Sequence, residues 1–289
     1  MSNVDVKIVN KLADKANDIR RLLVTMCNRT GNVHLGGALS VCEVATALYY
    51  QFLRPNDVTY FEDPNRDRLI LSKGHAGCLI YNILVDKGFY TIDQVCEEYN
   101  TVGGRFGMHP NRKYLPQFEF STGSLGHGMP IATGLALAYR ANDTKQRIYC
   151  ITGDGELQEG TNWEAAMAAA HYRLGNLVAI VDRNKYSVAN TTEKTLGIEP
   201  LDKKWRSFGW DVRHIDDGNN MEQVAAALSD LPDVGFEENK KPVCLISHTK
   251  KGSGFNFMED NFTYHIAGLD DAQLQDCYCQ LDQELKARR

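Results

Sequence analysis

The sequence lacks any apolar run of about 20 residues, the length needed to cross a bilayer, and it has no C-x-x-C pair, no internal repeat and no low-complexity segment. The first absence argues against a membrane span. The N-terminal MSNVDVKIVNKLADKANDIRR alternates apolar and charged residues, so it has no signal-peptide core, and a cytoplasmic protein is expected. There is also no basic block that could track a phosphate backbone. With 32 Lys and Arg against 37 Asp and Glu, the net charge is −5, and nucleic acid is not an expected partner. The eight cysteines, Cys27, Cys42, Cys78, Cys96, Cys150, Cys244, Cys277 and Cys279, are scattered among mostly apolar neighbours, the usage of buried free thiols in a reducing compartment. Cys277 and Cys279 lie two apart on an expected helix and so face apart, which disfavours a shared metal or a disulfide.

What is present is a chain of 289 residues, 43% hydrophobic and 24% charged, enough for a sizeable core. Residues 5–28 carry apolar positions at helical spacing and predict an amphipathic opening helix. Ser40-Val-Cys-Glu43 has the form of a capping box, which predicts a second helix from about Val41, after a glycine-rich loop from Gly31 to Leu39 that holds His34. RLILS from Arg68 reads as a buried strand, and AGCLIYNILVDKG as a helix ending at Gly88. The unit recurs as a strand over Arg147–Thr152, a helix over about Gly160–Leu174 and the strand NLVAIVD. Further strands are expected at WDVRHI and PVCLISHT, with a helix at MEQVAAALSDL between them. Glu98–Phe120 has no period and predicts a long loop. The fold class expected is α/β: a mainly parallel sheet with helices on both faces. The expected division is one domain over 1–265 and a helical tail over 266–289.

Ligands of such sheets bind beyond the carboxyl ends of the strands. GNVHLGG, SKGHAG, STGSLGHG, GDGELQEG and DRNKYS all fall at strand ends or helix starts, and so are candidates for one shared site. The most informative pair is Gly153-Asp154-Gly155 after one strand and Asn184 after the next, with 184 − 155 − 1 = 28 residues between. One crossover brings both side chains to the same edge, where a carboxylate and an amide oxygen can hold a hard cation such as magnesium if a diphosphate supplies further ligands. The glycines beside Asp154 let backbone amides approach that anion. An isolated GDG is an ordinary turn; the flanking strands and the downstream asparagine set this one apart.

GDG followed by Asn at this spacing resembles the signature of thiamine-diphosphate enzymes. GDGELQEGTNWEAAMAAAHYRLGNLVAIVDRNKYSV, LSKGHA (Leu71–Ala76) and STGSLGHG (Ser121–Gly128), with His34, His109 and His265 in order, resemble the N-terminal, diphosphate-binding part of the transketolase family. The resemblance implies thiamine diphosphate and Mg2+ as cofactors. Asp154, the Asn184 side chain and the Tyr186 carbonyl would hold the metal. His75, Gly155, Asn184 and His265 would face the diphosphate, and Gly123, Ser124 and Leu125 the two rings. His34, His109 and His265 would surround the reacting carbon, where alkoxides form and collapse and groups titrating near neutrality are useful. Glu159 and Glu164 would lie at a subunit interface, although an acidic helix start and a solvated face explain them equally well. The reaction implied is transfer of a two-carbon ketol unit from a ketose to an aldose. Single-chain members continue into a pyrimidine-binding domain, so the resemblance implies a separate C-terminal subunit within an α2β2 assembly.

Departures from the family pattern are GNVHLGGALS for SGHPGAPLG and GSLGHG for GPLGQG, the latter leaving His127 without an assigned role. The alternatives are a subunit of a 2-oxoacid dehydrogenase E1 or an acyl-transferring hybrid, a magnesium phosphohydrolase using Asp154 and Asp182, and a non-catalytic scaffold. His171, His214 and His248 are read as ordinary half-buried histidines.

Overall fold

The computed structural model describes residues 4–55 and 60–288. Residues 1–3 and 289, on which the readings of the two chain ends partly rest, lie outside the described residues. Helix α1 (Val6–Thr30) starts where the Asp5 side chain accepts from the Lys7 amide and stops at Gly31, whose φ of 70° breaks the helix. Its apolar stripe, Leu12, Ala16, Ile19, Leu23 and Met26, is buried.

The expected loop and capping box after it are corrected. Leu35–Ser40 is helix α2 and Cys42–Ala47 is α3, so Ser40 closes one helix and does not cap the next. Its hydroxyl donates to the Gly37 carbonyl at 3.1 Å and to Asp182 Oδ2 at 2.6 Å, while Glu43 is ion-paired with Arg20 at 2.5 Å. The glycines that suggested a loop serve close approach instead: a Cβ on Gly36 would lie 2.9 Å from the Tyr264 carbonyl oxygen.

The remaining elements follow in order: β1 (Arg68–Leu71), α4 (Gly77–Asp86), α5 (Ile92–Glu98), α6 (Gly128–Ala141), β2 (Ile148–Gly153), α7 (Gly160–His171), β3 (Leu177–Arg183), α8 (Thr192–Leu196), α9 (Leu201–Ser207), β4 (Asp211–Ile215), α10 (Met221–Ser229), β5 (Val243–His248) and α11 (Asp271–Arg288). The strands lie in the order β1-β2-β3-β5-β4 with every pairing parallel. Alternate residues feed two cores. Tyr149, Ile151, Val178, Ile180 and Leu245 face the layer of α1, α3, α4, α10 and α11. Ile148, Cys150, Leu177, Ala179, Val181 and Ile246 face α6, α7 and α9. The α/β class is therefore the observed one. Helix α6 was not anticipated, because Gly128, Pro130 and Gly134 interrupt its apolar period.

Residues 99–127 carry neither helix nor strand, yet the segment is anchored: Phe106, Leu115 and Phe118 are buried, and the Tyr81 hydroxyl donates to the Gly107 carbonyl at 2.9 Å. Helix α11 lies against α1, with Cys277 and Leu281 in the same core and the Asn17 amide donating to the Leu281 carbonyl. All eight cysteines are free thiols. Cys277 is buried, but Cys279 is exposed and Cys96 only half-buried, so the expectation of eight core thiols is corrected at those two positions. Among the described residues no helix is long and apolar enough to cross a membrane.

Ile180, fully buried at the centre of β3, is the position at which the core should be most sensitive. Ile180→Ala should lower unfolding stability by about 2–5 kcal/mol, read from the urea midpoint at unchanged slope.

Candidate active site

The carboxyl ends of β1, β2, β3 and β5 open on one cavity of about 340 Å3. Its lining includes His34, His75, His109, Gly123, Leu125, Asp154, Gly155, Glu159, Asn184, Tyr186 and His265. Segments separated by up to 231 positions in sequence (265 − 34) thus meet in one place. Ser124 and Glu164 do not line it. Ser124 is exposed, and Glu164 is an exposed residue of α7. His127 is also exposed and turns back to the Leu125 carbonyl at 3.1 Å.

The floor is a buried carboxylate. Asp182, at the end of β3, is fully buried and accepts from Ser40 Oγ at 2.6 Å, Thr249 Oγ1 at 2.5 Å, Asn184 Nδ2 at 3.0 Å and Lys73 Nζ. Asp154 lines the cavity and Asp182 does not, so Asp182 is not offered to a cation as the second carboxylate of a phosphohydrolase metal pair would be. It acts instead on Asn184: by accepting from the amide nitrogen, it fixes the amide oxygen on the other side. That oxygen accepts from the Tyr186 amide at 3.0 Å.

Asp154 is 1% exposed. Its Oδ1 accepts from the Gly155 amide at 2.7 Å, and its Oδ2 from the Lys185 amide at 2.6 Å and Arg183 Nη1 at 2.9 Å. Burial and the nearby Asp182 carboxylate push its pKa up to about 6, against Arg183 and the Lys185 amide, which favour the charged form. Arg183 is in turn tied to Glu199 at 2.8 Å and Thr192 Oγ1 at 2.8 Å. Asp154 and Asn184 together present the hard oxygen donors that suit a magnesium ion sharing its remaining positions with phosphate and water.

Above this floor stand four imidazoles. The His34 ring centroid is 5.5 Å from that of His75, 5.9 Å from His109 and 5.2 Å from His265. Burial, then the charges of His109 and Lys251, lower the pKa of His34 to about 4. Burial, then Lys251, His34 and Lys73, lower that of His265 to about 3. His75 is pushed well below its ordinary value by burial and the nearby Lys73, and His109, which is exposed at the cavity mouth, is lowered by partial burial. The cluster is therefore neutral near pH 7 and able to accept protons. The Nδ1 atoms of His34 and His265 are buried without a hydrogen-bond partner among the described residues, as is Thr122 Oγ1. Orphaned polar atoms beside a polar cavity fit a ligand that carries donors or acceptors of its own.

Sequence reasoning missed two cations. Lys73 is 1% exposed and bridges the Gly37 carbonyl, at 2.8 Å, to Asp182. Lys251 is equally buried, donates to the Ser187 carbonyl at 2.8 Å and lines the cavity; burial and then Lys73 lower its pKa to about 8. Lys73 lies two residues past the end of β1 and Lys251 three past the end of β5, in LSKG and HTKKG, so the strand-end rule applied to every lysine would have found them. Lys73 is paired with Asp182, and the buried Lys251 ammonium lines the cavity as a group able to meet an anion.

His34 and His265 are neutral in the fold but protonate below about pH 6.5 in the unfolded chain, so their stabilisation is full above 6.5 and is lost as pH falls toward 4 and 3. The thermal midpoint should drop by several degrees across that window. A protein carrying both His34→Asn and His265→Asn should drop less, and an equal drop in the two proteins would remove the histidines as the cause.

Residues 12–285 match the family described as "Transketolase, thiamine diphosphate binding domain". The chain is 40% identical over 257 residues to one subunit of the apulose-4-phosphate transketolase of Actinobacillus succinogenes, covering 89% of this chain and 90% of that one. It is 36% identical over 275 residues to a 6-deoxy-6-sulfo-D-fructose transketolase subunit of a Clostridium species, covering 94% and 97%. Among solved structures it resembles the Campylobacter jejuni transketolase (TM-score 0.81, 25% identity), covering 99% of this chain and 46% of that one. It also resembles the Pichia stipitis transketolase complexed with sedoheptulose 7-phosphate (TM-score 0.81, 28% identity), covering 95% and 41%. The chain thus spans less than half of these solved chains but nearly the whole of the subunit-type relatives, and the 2-oxoacid dehydrogenase alternative is not favoured. The chain belongs to the transketolase family and spans its thiamine diphosphate-binding domain.

Proposed function

We propose that this chain is the cofactor-binding subunit of a two-subunit transketolase that moves a two-carbon ketol unit from a ketose donor to an aldose acceptor. The observation that carries the reading is the meeting of Asp154, Asn184, two buried lysines and four neutral imidazoles in one cavity at the strand ends. Asp154, the Asn184 amide oxygen and the Tyr186 carbonyl would hold Mg2+. His75, Gly155, Asn184, His265 and Lys251 would face the diphosphate, and Gly123 and Leu125 the rings. When bound, thiamine diphosphate would supply the nucleophilic carbon that ketol transfer requires.

The chain's own residues then manage protons and orientation. His34 and His265, held neutral by burial and by each other's neighbours, take up and return the protons of substrate hydroxyls. His109, exposed and lining the cavity, would contact a hydroxyl of the donor. Replacing His109 with alanine should lower turnover with ketose donors by about 10²-fold or more while changing cofactor affinity little. A variant impaired only in cofactor uptake would contradict that role. Asp154→Ala should abolish magnesium-dependent thiamine diphosphate binding, read by cofactor titration of the assembled protein, because it removes the charged ligand of the cation.

A pyrimidine-binding partner in an α2β2 assembly completes the reading, supported by the near end-to-end match to transketolase subunits. Glu159 and Glu164, exposed at the start of α7, with exposed Met167 on the same helix and exposed Val188 and Leu196 after β3, would be covered by such a partner. The free thiols suit a reducing, cytoplasmic setting. The chain alone should be inactive; mixed with a candidate partner it should gain ketol transfer, and light scattering should report the mass of a heterotetramer. Strong ketol transfer by the chain alone would overturn the two-subunit reading.

A further inference from the structure

Glu156 follows the GDG turn and is 2% exposed, yet none of the roles above uses its carboxylate. Its oxygens collect donors from three separate segments. Oε2 accepts from the Gly153 amide at 3.0 Å, at the end of β2. Oε1 accepts from the Gly126 amide at 2.9 Å, in the loop that leads into α6, and from the Ser72 hydroxyl at the end of β1. Ser72 Oγ itself accepts from the Gly128 amide at 3.1 Å, which binds the same loop a second time. The backbone is held as well: the Asn162 side chain donates to the Glu156 carbonyl at 2.7 Å.

These segments supply different walls of the cavity. The end of β2 gives Gly153, Asp154 and Gly155, and the segment after β1 gives Lys73 and His75, all on the polar, anion-receptive side. The loop before α6 gives Gly123 and Leu125, the apolar side. A ligand with an anionic tail and flat rings needs the two sides at a fixed separation.

The anchoring of the two sides is unequal. Asp154 has anchors of its own, in the amides of Gly155 and Lys185, in Arg183, and in its backbone amide, which donates to the Asp182 carbonyl at 3.2 Å. At Gly126 the loop is joined to the rest of the site by Glu156 and by Thr161 Oγ1, which donates to the Gly126 carbonyl at 2.8 Å. Gly126 has a φ of +84°, and a Cβ there would lie 2.6 Å from Glu159 Cβ, so the loop is packed directly against the start of α7. Glu156, buried and with two oxygens that reach both Gly153 and Gly126, ties these two walls together directly.

We propose that Glu156 is a positioning residue that fixes the ring-facing loop of Gly123 and Leu125 against the phosphate-facing end of β2. This rests on the thiamine diphosphate reading, with Glu156 acting through the loop and not touching the cofactor's reacting atoms. Removing its carboxylate should therefore impair recognition of the rings while sparing that of the diphosphate.

The test is calorimetric titration of the full chain, in the presence of magnesium and its partner subunit, using thiamine diphosphate and inorganic pyrophosphate as separate probes. Glu156→Ala should weaken thiamine diphosphate binding by about tenfold or more and leave pyrophosphate affinity within about threefold. Glu156→Gln, which keeps one oxygen for the loop, should lose less. Equal weakening of both probes, or no change in either, would overturn the proposal, since a merely structural role does not discriminate between them. If the alanine variant does not fold, the glutamine variant decides on the same ratio: a shift of about threefold or more against thiamine diphosphate supports the role, and an unchanged ratio overturns it. Wild-type protein that binds neither probe would instead overturn the cofactor reading on which this one stands.

Discussion

The site depends on one buried carboxylate. Asp182 closes the central strand and is reached by Lys73 after β1, Ser40 at the end of α2, Thr249 after β5 and Asn184 after β3 itself. Four segments that have no local reason to meet are thereby held at one edge of the sheet. A charge at zero exposure is tolerable only because Lys73 neutralises it and three further donors engage its oxygens. Loss of one partner from such a pair typically costs about 3–5 kcal/mol, more than the hydrogen bonds of any single loop here could offset. The same group also determines which way the Asn184 amide points, so the architecture of the floor and the chemistry offered to a cation have a common origin.

Around that anchor the cavity is electrically asymmetric. Lys251 brings positive charge to the cavity, and burial keeps His34, His75 and His265 from adding more, as their lowered pKa values record. Under the reading proposed above, a bound diphosphate would add negative charge beside imidazoles that burial holds neutral, which favours their protonated form. Under that reading, the metal, phosphate and proton-handling sides would be coupled by electrostatics over a few ångströms. Glu156 ties the polar wall to the apolar loop before α6, which is the mechanical counterpart of that coupling.

The sheet was legible because its strands are short apolar runs ended by glycine or polar turns, a pattern that survives without knowledge of the fold. The stretch after α1 was not. Ser40 and Glu43 satisfy the letters of a capping box, but Ser40 is drawn to Asp182 and Glu43 to buried Arg20, both tertiary partners. Gly36 and Gly37 suggested a loop because their use in close packing against Tyr264 and His75 is visible only when those residues are in place. Helix α6 was hidden by small residues that suit tight packing against β1 and β2 and leave little periodic contrast.

By itself the sequence determined the class of fold, the GDG-to-Asn184 crossover and the family resemblance, because each is written in local pattern or in spacing along one chain. Only the tertiary structure decided that His34, His75, His109 and His265 share one cavity, that Asp182 is an anchor and not a ligand, and that Lys251 and Glu156 belong to the site. The physical reason is that burial and pairing set the state of an ionisable group, and both depend on neighbours contributed by strands more than a hundred residues apart.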